Sequence, residues 1–311
     1  MKILIERAAA ASPAAFTGER LTNAVTGQLE AEHYHRYLLA LGFCQGRDVL
    51  DVATGEGYGA AMLAQQARSV CACDVAADAI ARAEASFRRP NLRFVVGAAC
   101  GLPMPDASVD VVTCFEALEH FAEQETFVDE VRRVLRPGGL LLVSTPDRDV
   151  YSPPGATPNP YHVRELSRQE FRDLLGSRFA HVALARQRAV AASVLIPEDT
   201  DAPHLVFERH DPRSFACDTE LPHAPYLLAC SSDSALPRLP SSLLILHGDL
   251  DGSMREQAAL RAARIEADSV MHRLQAIENS TLWRATAPLR RLGLACKGLR
   301  AQMRPTRTRS A

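Results

Sequence analysis

The chain lacks any run of about 18 apolar residues, so no segment of its 311 positions reads as a membrane-spanning helix. It also lacks a dominant sign of charge. With 35 Lys and Arg against 37 Asp and Glu, the formal net charge is −2, which gives no reason to expect nucleic acid as a partner. Metal-type cysteine spacing is missing too. The eight cysteines are scattered, and the pair Cys71 and Cys73 has no second pair to complete a zinc site. Several cysteines lie in apolar runs such as "SVCACDV" and "VVTCFEAL" and read as buried, reduced thiols. The opening "MKILIERAAAASP" is too short and too charged for a secretory leader, so a cytoplasmic setting is the expectation. No long internal repeat occurs.

What is present is a hydrophobic share of 47%, enough for one sizeable core with appendages. Residues 28–41, "QLEAEHYHRYLLAL", carry apolar positions at helical spacing. Strand-like and helix-like runs then alternate. "DVLDVA" from 48 reads as a strand and "GAAMLAQQA" as a helix ending near Arg68. "SVCACDV" from 69 is a strand, "AADAIARAEASF" a helix, "LRFVVGAA" a strand, and "VDVVTCFEAL" from 109 starts as one. "EQETFVDEVRRVL" predicts a helix closed by "RPGG", with "LLLVSTPD" as the next strand. Such alternation implies an α/β, Rossmann-like doubly wound, mostly parallel sheet. A proline-rich loop, "YSPPGATPNPYH", precedes a helix at "SRQEFRDLLG" with Ser167 and Glu170 as a capping box. "FAHVALARQRAV" and "PYLLAC" look like further strands, while residues 196–222 show no clear period. Three parts are expected: an N-terminal helical lid over 1–45, an α/β domain over 46–250, and a helical, basic C-terminal extension over 251–311.

That extension carries Leu260, Ala263, Ala267, Val270, Leu274 and Ile277 at a and d heptad positions, which suits a solvated single helix or a weak homodimer coil equally. From Arg284 onward every charged side chain is Arg or Lys, interleaved with leucines; peripheral contact with a membrane face and a frayed solvated end are both open.

Ligands of such sheets bind at the carboxyl ends of the strands. The turn "DVATGEGYGA" lies there, together with Asp74, Ala98, Ala99 and Glu116. Its bare G-x-G-x-x-A pattern fits a dinucleotide site as well as a methyl-donor site. Asp51, two residues before the turn, is a poor neighbour for a pyrophosphate but suits the ammonium and cationic sulfur of a sulfonium donor. Asp74 could accept from ribose hydroxyls of either cofactor.

Taken together, "VLDVATGEGYG", "VCACDVA", "LPMPDASVDVVTCFEALEH" and "EVRRVLRPGGLLLVSTPD" resemble a class I S-adenosylmethionine-dependent methyltransferase over roughly residues 16–190. The resemblance implies S-adenosylmethionine as cofactor, with Asp51, Ala53, Gly55 and Gly57 around its methionine portion. It further implies Asp74 on the ribose, Val75 on the adenine, and Ala99 and Phe115 lining the rest. Ala53 stands where the family usually has glycine, and Ala98 where an acidic residue often follows the third strand. A finer set, "FTGERL", "EHYHRY", "FEALEH", "STPDRDVYS" and "NPYHVREL", resembles methyltransferases found near polysaccharide and lipopolysaccharide assembly enzymes. "STLWRATAPLRRLG" resembles a tail segment of glycosyltransferases of those pathways, which implies a glycosyltransferase contact through the C-terminal helix.

"FEALEH" carries the chemistry. A helical turn after Phe115 would put Glu116, Glu119 and His120 on one face at i, i+3 and i+4. With His162 from the long loop they could ligate Mg²⁺, Mn²⁺ or Zn²⁺. The alternatives are His120, beside Glu119, as a metal-free base or acceptor-orienting group, and a purely structural pairing. A free imidazole near pKa ~6.5 is far too weak a base to deprotonate an aliphatic hydroxyl fully, whereas a metal brings bound water from about 15.7 to about 7; concerted proton transfer avoids that gap. His33 and His35 on the first helix read as packing or solvent-facing groups, and Tyr161 as a pocket wall or packing anchor. The expected reaction is O-methylation of a sugar or related hydroxyl. A small aromatic or isoprenoid-linked hydroxyl, and a non-catalytic scaffold recruiting glycosyltransferases, are the other readings.

Overall fold

In a computed structural model of the chain, the residues described are 3, 28–190, 205–211 and 214–245. The heptad run, the basic tail and any glycosyltransferase, homodimer or membrane contact assigned to them lie outside these residues, as does most of the N-terminal stretch before residue 28.

The described strands are β1 Asp48–Val52, β2 Ser69–Asp74, β3 Leu92–Val96, β4 Val109–Phe115, β5 Leu135–Pro146, β6 His181–Gln187, β7 Val206–Asp211, β8 Ser214–Asp218 and β9 Tyr226–Ser232. Seven of them form one sheet in the order β3-β2-β1-β4-β5-β9-β6. The neighbours among β1 to β5 pair in parallel, and β9 is antiparallel to both β5 and β6. Helices α1 Gln28–Cys44, α2 Tyr58–Leu63, α3 Ala77–Ser86, α4 Gln124–Val134, α5 Arg148–Tyr151 and α6 Arg168–Gly176 complete the described domain.

The central strands read as continuous apolar runs because both faces of the sheet are covered. Alternate residues divide between two core layers. Val49, Val70, Ala72, Val111 and Leu142 pack with Tyr37 and Leu41 of α1 and Met62 and Leu63 of α2. Leu50, Cys71, Cys73, Val112 and Leu141 pack with Phe127 and Val131 of α4 and Phe171 and Leu175 of α6. Cys71 and Cys73 thus share one face, as two residues flanking a single position of a strand must. All seven described cysteines are free thiols, and five of them are buried.

Within the described residues the expected elements are found, with three differences. The "RPGG" stretch does not separate helix from strand: β5 already starts at Leu135. Val109 pairs with Leu135 and Val111 with Leu140, so residues 136–139 bulge out, with Gly138 at φ 79°. Arg136 is anchored there by Asp110 at 2.8 Å and Asp48 at 3.0 Å. The helix expected over residues 59–67 is a short α2 ending at Leu63. Inside the aperiodic 196–222 stretch lies a hairpin of β7 with β8. Phe207 is exposed there, so its apolar side chain does not mark a core-facing strand. The Ser167–Glu170 capping box forms as its spacing predicts. Among the described residues no helix is long and apolar enough to cross a membrane.

Candidate active site

The turn between β1 and α2 is built on left-handed backbone. Ala53, Gly55 and Gly57 have φ of 56°, 59° and 80°. A non-glycine residue in this region is strained by roughly 1–2 kcal/mol, which explains why glycine suits position 53 and why alanine, with the smallest side chain, is tolerated. Gly57 must stay bare: a Cβ there would lie 2.6 Å from the Phe94 ring.

Asp51 lies under this turn, fully enclosed. Its carboxylate accepts from Thr113 Oγ1 and Thr54 Oγ1, both at 2.6 Å, and from Tyr37 OH at 3.3 Å. Burial pushes its pKa up to about 6 against these hydrogen bonds. The three hydroxyls tie β1, β4, α1 and the turn together, so Asp51 serves as the floor of the site, with its oxygens engaged inside the protein.

Asp74, the last residue of β2, is buried at the strand tip. Its Oδ2 accepts from the Gly55 amide and its Oδ1 from the Ala76 amide, both at 2.9 Å. The carboxylate is therefore fixed beside the glycine turn. Val75 follows with 74% of its surface exposed, an apolar platform in solvent. Ala99 is half-buried in the connection after β3. Phe115 closes β4 and packs edge-to-face on Tyr37, ring centroids 5.0 Å apart. The fit to an adenosyl donor is chemically good: a carboxylate fixed at the second strand tip, an exposed apolar side chain next to it, and close backbone at the first tip.

The β4 tip differs from the sequence expectation. Glu116 sits at φ 51°, and a single 3-10 turn, Leu118–His120, follows. Glu116 therefore leaves the group formed by Glu119, His120 and His162, whose ligand atoms lie within 4.8 Å of one another. It accepts from the Ser144 hydroxyl at 2.6 Å and faces Arg36 Nη2 at 3.5 Å.

The three gathered residues stand close enough together to hold a cation, but each side chain is already engaged within the protein. Burial, then the charge of Glu116, raises the pKa of Glu119 well above the ordinary carboxylate value. His162 has both nitrogens engaged, Nδ1 by Glu165 Oε1 at 2.5 Å and Nε2 by the Asn159 amide at 3.1 Å.

His120 is different. Its Nδ1 is 2.9 Å from the Tyr161 carbonyl oxygen. A carbonyl can only accept, so in the neutral ring Nδ1 carries the proton and Nε2 the lone pair. The side chain is 31% exposed, and Nε2 is 3.9 Å from Glu119 Oε1. The backbone carbonyl thus sets the tautomer, as the third member of a base constellation does.

A wall of rings runs from there. His162 lies 5.1 Å from His120, Tyr151 stacks 5.5 Å from His162, and Tyr226 lies 6.0 Å from Tyr151. Arg36 covers the Tyr226 ring at 4.7 Å. Tyr151, Tyr226, Arg36 and Ser144 were not singled out by the sequence reading; each comes from a different element, and no local spacing links them.

His33 is a packing group, buried with Nδ1 2.8 Å from Tyr58 OH. Burial, followed by the nearby Arg36 charge, lowers its pKa to about 3. The unfolded chain takes up this proton near pH ~6.5 and the folded chain does not. This group's contribution is therefore complete above about pH 6.5 and is lost as pH falls toward 3, at up to about 1.36 kcal/mol per pH unit. His33→Asn should flatten the acid side of a urea-stability profile by one proton, even if it is less stable at pH 7. An unchanged slope would contradict this.

Sheet order, glycine turn and acidic second-strand tip together define the class I, Rossmann-like methyltransferase fold. Residues 50–143 match a family model described as a methyltransferase domain, and this part of the chain is such a domain. A probable S-adenosylmethionine-dependent methyltransferase of Mycolicibacterium smegmatis is 44% identical over 165 residues, 51% of this chain and 62% of that protein. One of Mycobacterium tuberculosis is 43% identical over 187 residues, 57% and 66% of the respective chains. A demethylmenaquinone methyltransferase of Beutenbergia cavernae is 42% identical over 105 residues, 34% and 43%. The matched segments thus span less than two thirds of these relatives' own length.

Proposed function

We propose that the protein transfers a methyl group from S-adenosylmethionine to a hydroxyl oxygen, with His120 as the base. The observation that carries this reading is the His120 tautomer, which leaves a lone pair on a partly exposed Nε2 at the β4 tip. In the proposal Asp74 holds the ribose, Val75 and Ala99 flank the adenine, and the Ala53–Gly57 turn seats the methionine portion above the Asp51 and Phe115 floor. When bound, the cofactor supplies a methyl group on a cationic sulfur, whose bonding pair returns to sulfur as the acceptor oxygen forms the new carbon–oxygen bond. His120 Nε2 takes the hydroxyl proton as that bond forms, so no free alkoxide is needed. The Tyr161 carbonyl then stabilises the resulting imidazolium.

No cation enters this scheme. Glu116 is turned to Ser144 and Arg36, and His162 is engaged at both nitrogens, so the expected four-residue donor set for Mg²⁺, Mn²⁺ or Zn²⁺ is not assembled. The proposed acceptor is a sugar hydroxyl of surface-polysaccharide assembly, supported by the Tyr151–Tyr226 wall on which a pyranose face could stack. A small aromatic or isoprenoid-linked hydroxyl is the second reading, favoured by the match to a quinone-type methyltransferase. Incubating the full chain with labelled methyl donor and fractionated bacterial extract tests the proposal. Label should enter an acid-stable methyl ether, at a rate indifferent to EDTA. Donor binding without transfer would favour a scaffold; a rate restored only by added Mg²⁺, Mn²⁺ or Zn²⁺ would reinstate the cation.

A further inference from the structure

Arg36 is a buried charge that the proposed chemistry leaves unused. It is only 2% exposed, yet Nη1 and Nη2 have no hydrogen-bond partner among the described residues. The rest of the side chain is firmly set. Nε donates to Gln187 Oε1 at 2.7 Å, and Gln187 is itself held by its Nε2 on the Glu32 carbonyl at 2.9 Å. The guanidinium lies over the Tyr226 ring. Its one ion pair among the described residues is with Glu116, at 3.5 Å from Nη2, beyond good hydrogen-bond contact, while that same Glu116 oxygen takes the short Ser144 bond. The end left without a hydrogen-bond partner is the buried Nη1–Nη2 fork, the pair of nitrogens that meets a carboxylate or phosphate with two parallel bonds. A buried guanidinium with an unsatisfied fork is costly to keep unless something binds it.

Its position says which ligand. The partners of Arg36 come from the tips of β4, β6 and β9, whereas the nucleoside carboxylate Asp74 stands on β2 at the other side of β1. The ring wall joins Arg36 to His120 through Tyr226, Tyr151 and His162. Arg36 therefore stands with the proposed base His120 on the β4 side of the strand tips, away from Asp74.

We infer that Arg36 binds an oxyanion of the acceptor, a carboxylate or phosphate, so that the substrate is an anionic hydroxyl compound such as a sugar acid or sugar phosphate. This rests on the methyltransferase reading above. In binding, the oxyanion replaces Glu116 as the partner of the fork, and Glu116 keeps its Ser144 bond.

Calorimetry on the full chain saturated with S-adenosylhomocysteine tests it, using glucose 1-phosphate, glucuronate and neutral methyl glucoside as probes. The wild type should bind at least one of the two anions ten times or more tightly than the glucoside. Arg36→Gln should lose at least tenfold in that anion's affinity while S-adenosylhomocysteine binds within twofold of wild type. Glu116→Gln, which removes the competing carboxylate, should tighten the anion several-fold, and this arm decides if Arg36→Gln does not fold. Equal binding of all three probes, or unchanged or weaker anion binding in Glu116→Gln, overturns the inference. So does a loss of S-adenosylhomocysteine but not of 5′-methylthioadenosine in Arg36→Gln, which would assign the fork to the donor's own carboxylate. If the wild type binds no S-adenosylhomocysteine, the methyltransferase reading fails separately, and the same anion titrations on the free protein still judge Arg36.

Discussion

Replacing His120 with Asn should lower kcat by about 10²–10⁴-fold, the usual contribution of a positioned base, while S-adenosylhomocysteine binds as to the wild type. The reason is local. Asn can still donate toward the Tyr161 carbonyl, so the loop that carries Tyr161 keeps an anchor, but an amide cannot accept the hydroxyl proton. The proposed donor contacts lie at the β1 and β2 tips and share no atom with the imidazole. Single-turnover assays with labelled donor measure the chemical step directly. A rate for His120→Asn within threefold of wild type would remove the base and favour a structural role for the histidine.

The second large effect belongs to Asp74. Asp74→Asn should weaken the methyl donor by about 10²-fold, or roughly 3 kcal/mol, if two hydrogen bonds from ribose hydroxyls to a charged carboxylate are impaired. The amide also sets an N–H group against one of the two backbone amides that the carboxylate now receives, Gly55 and Ala76. Part of the loss is therefore disorder of the glycine turn, and thermal unfolding of the ligand-free variant separates the two parts. A donor affinity unchanged within threefold would show that the ribose is held elsewhere.

Much of this fold was readable in the sequence because strands covered on both faces must be apolar throughout, and helices between them must carry a stripe. Runs such as "DVLDV" and "SVCACD" have few other options. The glycine turn was legible for a similar reason: three left-handed positions in five residues narrow the choice of side chain severely. Where the reading failed, the determinant was not local. Residues 136–139 look like a helix stop, yet Asp48 and Asp110, on two other strands, capture Arg136 and draw the segment into β5. On β7 the apolar Phe207 is exposed, so it marks no core-facing period.

The site divides in the same way. Asp51 and Asp74 are placed by strand tips, which a pattern can locate, but the burial of Asp51 under three hydroxyls needs Tyr37 from a helix before the sheet. The expected helical face of Glu116, Glu119 and His120 was undone by the left-handed Glu116, a backbone choice that nothing in "FEALEH" announces. Arg36 was invisible because its partners, Glu116, Gln187 and Tyr226, all lie far from it along the chain.

A crystal structure with S-adenosylhomocysteine tests the central claim most directly. The account predicts both ribose hydroxyls on Asp74, the sulfur above the Gly55–Gly57 turn, and His120 Nε2 facing the sulfur across the acceptor space. A nucleoside bound away from the β2 tip, or His120 pointing out of that space, would contradict it.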